Sequence, residues 1–149
     1  MSEETQLTTL GNLDPKLASA LCYVPLMSIN LIASLAFFFT EKDIKPVRFH
    51  AAQGLLLAAS IMASGVLLSV LVMVGTIGGS IVDAMLDTGG MLSLLFSLLI
   101  LLATLVFALF VMVVPLGLAF FAYSGNNTRV PVLAGFAEKL AGLEPGWAE

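Results

Sequence analysis

Hydrophobic positions run along this chain in three long blocks separated by short polar stretches. No Asp, Glu, Lys or Arg occurs from Leu17 to Thr40, from Ala51 to Val82, or from Thr88 to Thr128. Such runs predict membrane-spanning helices, because about 20 apolar residues cross a hydrocarbon core ~30 Å thick. The first expected span is 17–40, opened by Asp14-Pro15, a capping side chain followed by a proline that loses no hydrogen bond at the first helical position. The second is 54–74, closed by the glycine-rich stretch Gly75–Ser80. The third, 91–123, would rise about 50 Å as a helix. That is long for one crossing and short for two, so the run predicts one helix kinked at Pro115.

The expected architecture is therefore an all-α polytopic membrane protein with three transmembrane helices, four being the alternative, plus a short C-terminal amphipathic helix. Its expected parts are a polar N-terminal tail (1–14), a transmembrane domain (15–125) and a cytoplasmic tail (126–149). Within the tail, Leu133, Phe136, Ala137 and Leu140 recur at i, i+3, i+4, i+7. That spacing fits a helix lying on the membrane surface, and equally one packed on the protein's own cytoplasmic turn. Trp147 is a further candidate anchor at the interface.

Composition agrees with lipid as the solvent. Of 149 residues 59% are hydrophobic and 11% charged, where soluble domains carry about 25% charged residues; the mean hydropathy is +1.05. The net charge of −4 comes largely from tail residues such as Glu3, Glu4, Glu144 and Glu149, and six basic residues do not make a nucleic-acid surface. Cys22 is the sole cysteine, which excludes an intrachain disulfide and a C-x-x-C site. The acidic start and the long first run do not match a secretory signal, so the segment is expected to be retained. With three spans, Lys42, Lys45, Arg48, Arg129 and Lys139 share one side against Lys16 alone. Basic residues favour the cytoplasm. The expected placement is the plasma (inner) membrane with the N-terminus outside and the 41–50 turn and C-terminus cytoplasmic.

Candidate chemistry is sparse. The sequence contains no H-E-x-x-H, G-x-x-x-x-G-K or G-x-S-x-G motif. His50 and Ser64 stand about 21 Å apart along one helix, too far to act as base and nucleophile; Ser124 is a geometrically possible partner that nothing marks as activated. Asp83 and Asp87, four apart, offer only two carboxylates to a cation, and the plainer reading is a solvated outer turn. Asn126-Asn127-Thr128 matches a glycosylation sequon but is expected in the cytoplasm. No cofactor or metal is expected, and the protein is read as non-enzymatic. Ser28 and Asn30 lie inside the first expected span just beyond Pro25. There they either line a polar path, with Pro25 freeing a carbonyl, or bind helices together. Small residues four apart, in Gly54-x-x-x-Ala58, Ala59-x-x-x-Ala63 and Gly65-x-x-x-Ser69, allow close helix approach.

Two stretches carry a family resemblance. Pro46-Val47-Arg48-Phe49-His50-Ala51-Ala52-Gln53 resembles the V-R-F-H-A-x-Q signature of a family of small bacterial and archaeal membrane proteins, itself similar to the twenty-kilodalton component of the chloroplast inner-envelope import translocon. Leu21-Cys22-Tyr23-Val24-Pro25-Leu26 is similar to that family's opening, and Ala122 to Gly135 to its A-x-x-G-x-x-y-R-x-P-x-x-G ending. The resemblance implies a membrane role with a possible part in protein translocation. It marks Arg48, Phe49, His50, Gln53, Gly125, Arg129 and Pro131 as motif residues. Physics supplies a structural reason for them: the Arg48–Gln53 and Gly125–Pro131 turns meet on one membrane side, His50 and Gln53 share a helix face and reach loop carbonyls, and Arg48 meets lipid phosphate or caps the third helix. The expected function is association within the membrane, with lipid as partner and a second copy or another membrane protein beside it. The alternative is a pore or transporter subunit, protein translocation being one task for it, and an intramembrane enzyme is the remote alternative.

Overall fold

A computed structural model describes residues 7–146; Trp147 lies outside them. The described residues form five helices: α1 (Pro15–Leu21), α2 (Met27–Thr40), α3 (Lys45–Leu86), α4 (Met91–Tyr123) and α5 (Leu133–Ala141). They divide into two compact units. Unit 1 holds the described parts of Met1–Ser60 and Met112–Glu149, and unit 2 is Ile61–Val111.

The fold is all-α, but the expected count of three spans is corrected to two. Only α3, with 42 residues, and α4, with 33, are long and apolar enough to cross a membrane. The charge-free run 17–40 is broken instead. The Asp14 carboxylate accepts from the Lys16 amide at 2.7 Å and starts α1, which ends at Leu21, four residues before Pro25. A proline there lacks the amide that would bond the Leu21 carbonyl, and its ring would clash with that carbonyl. The Val24 amide turns back to Leu21 at 3.4 Å and Leu26 to Val24 at 2.7 Å. α2 then has 14 residues, about 21 Å of rise against a core of ~30 Å.

Nor do the glycines at 75–80 end a span, since α3 runs through them to Leu86. In lipid the backbone has no water to bond, so helix continuity outweighs the weak preference of glycine for other conformations. In unit 2 these glycines are approach points. A β-carbon on Gly75 would lie 3.1 Å from Ile100 Cδ1, and one on Gly79 3.5 Å from Ser93 Cα and from Phe96. The real turn comes at Asp87, Gly89 and Gly90, all with positive φ (50°, 62° and 86°).

The core of unit 1 is small-grained. Phe49 and Ala52 of α3 pack on Ala134, Ala137 and Ala141 of α5, with Phe38, Leu56 and Leu143 around them. α5 thus packs on its own protein through an alanine face, while Val132 at its start, Phe136 and Leu140 remain exposed.

Candidate functional site

The polar side chains of unit 1 converge where the first turns of α3 meet the α1–α2 break and the 124–131 turn. Four helical positions of α3, from His50 to Gln53, are buried there. The Tyr23 hydroxyl lies 3.0 Å from His50 Nδ1, with the rings edge-on at 5.6 Å and 83°. Asn127 lines the same small cavity as this imidazole. Three residues on, Gln53 Nε2 donates to the Thr128 carbonyl at 3.4 Å, while its Oε1 is buried without a partner. One α3 face therefore ties down both the Tyr23 break and the loop after α4.

Gly54 makes this close approach possible. A β-carbon there would stand 2.6 Å from both the Cys22 carbonyl oxygen and Ser34 Oγ. The Ser34 hydroxyl donates to that carbonyl at 3.3 Å, satisfying a group that the end of α1 leaves open. Beyond the loop, Arg129 pairs with Glu138 at 2.5 Å, although Glu138 is only 2% exposed. The Gly146 amide also donates to that carboxylate, at 3.4 Å. Glu41, equally buried, accepts from the Leu10 amide at 3.0 Å and the Thr9 hydroxyl at 3.3 Å. It holds the segment before α1 against the end of α2.

The remaining motif residues take plainer places. The Arg48 guanidinium carbon sits 5.9 Å from the centre of the Phe38 ring, and its Nε is buried without a hydrogen-bond partner. Phe49 is fully buried. Gly125, at φ 81°, turns the chain beside the Lys16 side chain, and Pro131 is exposed at the turn into α5. Ser28 is exposed, whereas Asn30 is 6% exposed with Oδ1 unpartnered. Tyr23, Glu41, Gly54 and Glu138 carry as much of the arrangement as the expected residues do. Gly54 is signalled by the spacing Gly54-x-x-x-Ala58 and Tyr23 by the Leu21–Leu26 stretch, whereas Glu41 and Glu138 are marked only as carboxylates beside apolar runs.

The arrangement locks rather than reacts. His50 Nδ1 is engaged by the Tyr23 hydroxyl and the Ser124 hydroxyl donates to the Phe120 carbonyl at 2.9 Å, so the two side chains are bonded elsewhere rather than to each other. A cavity of about 220 Å³ lies beside His50, Ser19 and Lys16, below the roughly 300 Å³ at which ligand pockets begin. Among the described residues no three His, Cys, Asp or Glu side chains gather to hold a metal. In unit 2, the Asp83 carboxylate accepts from the Thr88 hydroxyl and from the Leu92 and Ser93 amides at 3.1 and 2.8 Å. It caps the start of α4, where a negative charge also suits the helix dipole.

Two long apolar helices and a polar lock define an α-helical integral membrane protein held together by small-residue contacts and buried side-chain hydrogen bonds. The chain belongs to the magnetosome magnetite crystal formation protein family, MamF_MmsF, whose model matches residues 3–137. Neither a curated protein nor a solved structure matches it. Membership overturns the resemblance to the translocon-like family. In this structure the R-F-H-A-x-Q stretch contributes the buried Phe49, His50, Ala52 and Gln53 to the packing of unit 1. The protein is an integral membrane protein that acts by association within the membrane.

Proposed function

We propose that this chain supports magnetite crystal formation from the membrane around the crystal, crossing it twice, with its basic residues on the cytoplasmic side and the 87–90 turn on the crystal side. The observation that carries the orientation is charge. With two spans, Lys16, Lys42, Lys45, Arg48, Arg129 and Lys139, all six basic residues, fall on one side, while the turn between the spans contributes only Asp83 and Asp87. Lys and Arg near span ends favour the cytoplasm. The N-terminus then joins the C-terminus there, which replaces the outside placement that three spans implied.

Family membership supplies the crystal, and the surface chemistry supports association as the mode. Unit 2 presents large apolar side chains outward along both helices, among them Leu67, Leu71 and Val74 of α3 and Leu98, Leu102 and Leu109 of α4. Such faces suit lipid and other transmembrane helices. In this reading the 50–53 and 124–131 contacts are a cytoplasmic clasp that fixes the ends of the two spans. In a magnetite-forming cell deleted for this gene, the wild-type chain is expected to restore crystal size, and Gly54→Leu, expressed to the same level, is not. Crystals of unchanged size in the deletion strain would overturn the proposal.

A further inference from the structure

The polarity of α2 is inverted relative to a helix on a water-soluble surface. Its inward face carries Asn30, Ser34, Phe37 and, just past its end, Glu41, each at most 6% exposed. Its outward face, from Leu26 just before it, carries Ile29, Ile32, Leu35 and Phe39, each between 40 and 68% exposed. In water this would hide the polar side chains and hydrate the apolar ones. Against acyl chains it is the favourable arrangement, because a polar group in hydrocarbon needs a protein partner.

α2 is nevertheless too short to span. The contacts at its ends show where the chain goes instead. Thr9 and Leu10, before α1, bond Glu41, after α2, so the segment leaves from where it entered. Lys16 lies beside Gly125 and shares the small cavity with Pro46, at the α3 start. The Cys22 carbonyl lies against Gly54, eight residues further along α3, or about 12 Å deeper. The segment runs inward along α3, turns at the Pro25 break and returns.

We propose that Pro15–Thr40 is a re-entrant hairpin inserted into one leaflet, with the Leu26–Phe39 stripe against lipid acyl chains and the 22–26 turn at its deepest point. Two observations favour lipid as the occupant. The stripe is continuous in chemistry with the exposed apolar residues of the α4 end in the same unit, Leu116, Phe120 and Phe121. The base of the hairpin also carries Lys42, Lys45 and Arg48, which complement lipid phosphate. The inference rests on the two-span reading.

The test uses the full chain in liposomes of phosphatidylcholine and phosphatidylglycerol, in a Cys22→Ser background with single cysteines at Leu26, Ile32 or Phe39 carrying an environment-sensitive fluorophore. Nitroxides placed shallow and deep on the lipid chains should quench all three, the deep nitroxide favouring Leu26 and the shallow one Phe39. Impermeant labelling should reach Asn12→Cys and Lys42→Cys from the same side. Labelling of those two from opposite sides would overturn the hairpin, as would quenching by aqueous iodide alone. So would stripe positions shielded from both quenchers that cross-link between copies. Cysteines at Leu86 and Ser124 report the two spans separately, so a failure of that reading is distinguishable from a failure of the hairpin.

Discussion

Units 1 and 2 bury opposite things. Unit 1 encloses Tyr23, Ser34, Glu41, His50, Gln53 and Glu138, each at most 2% exposed. Unit 2 leaves its leucines and valines outward and brings its two helices together at Gly65, Gly75 and Gly79. The difference follows from the solvent. In lipid a leucine gains little by turning inward, so close approach by small residues organises unit 2. Polar groups gain much by finding each other, and they organise unit 1.

If this contrast is right, glycines in the two units should respond differently to one added methyl. Gly54→Ala forces a β-carbon into backbone and side-chain oxygens at 2.6 Å, and overpacking of that kind costs about 3 kcal/mol. The expected result is a melting temperature in detergent lowered by several degrees. At Gly78, where a β-carbon would meet nothing within 4 Å, alanine should be neutral or raise stability by up to about 0.8 kcal/mol through helix propensity.

Glu138→Ala should rank next. It removes the acceptor of Arg129 and Gly146, and hydrogen bonds to a charged group are worth about 1.5–3 kcal/mol. Chemical denaturation in mixed micelles would report the loss. Tyr23→Phe leaves the buried His50 Nδ1 without its hydroxyl partner, with an expected cost of about 1–2 kcal/mol. A double-mutant cycle with His50→Phe should then show non-additivity, and strict additivity would mean that the two side chains are uncoupled. The smallest expected loss is in unit 2: Asp83→Ala removes the cap of α4, worth about 1 kcal/mol. Hydrogen exchange should localise its effect to the first turn of α4, leaving unit 1 protected as before.

The sequence made part of this legible. The helical class, residence in lipid and the 91–123 run that forms α4 follow from hydropathy alone. The Gln53–Thr128 hydrogen bond joins two short motifs that each flank an apolar run. Two things were not legible. Averaged hydropathy cannot distinguish a span from an inverted amphipathic segment, so 17–40 read as one helix although Pro25 and the inward spacing of Asn30, Ser34, Phe37 and Glu41 carried the contrary signal. Glycines at 75–80 read as a break because turn chemistry learned from water does not transfer to a helix whose backbone has no other partner. Tyr23–His50 and Arg129–Glu138 depend on tertiary approach, which local periodicity does not encode.

The central claim is that the chain crosses the membrane twice, with all six basic residues on one side. The most direct measurement is impermeant thiol labelling of sealed, oriented vesicles carrying the full chain with Cys22→Ser and one cysteine at Asn12, Leu86 or Ser124. The account predicts that Asn12 and Ser124 react from the cytoplasmic side and Leu86 only from the other; Asn12 reacting with Leu86, on the side opposite Ser124, would contradict it.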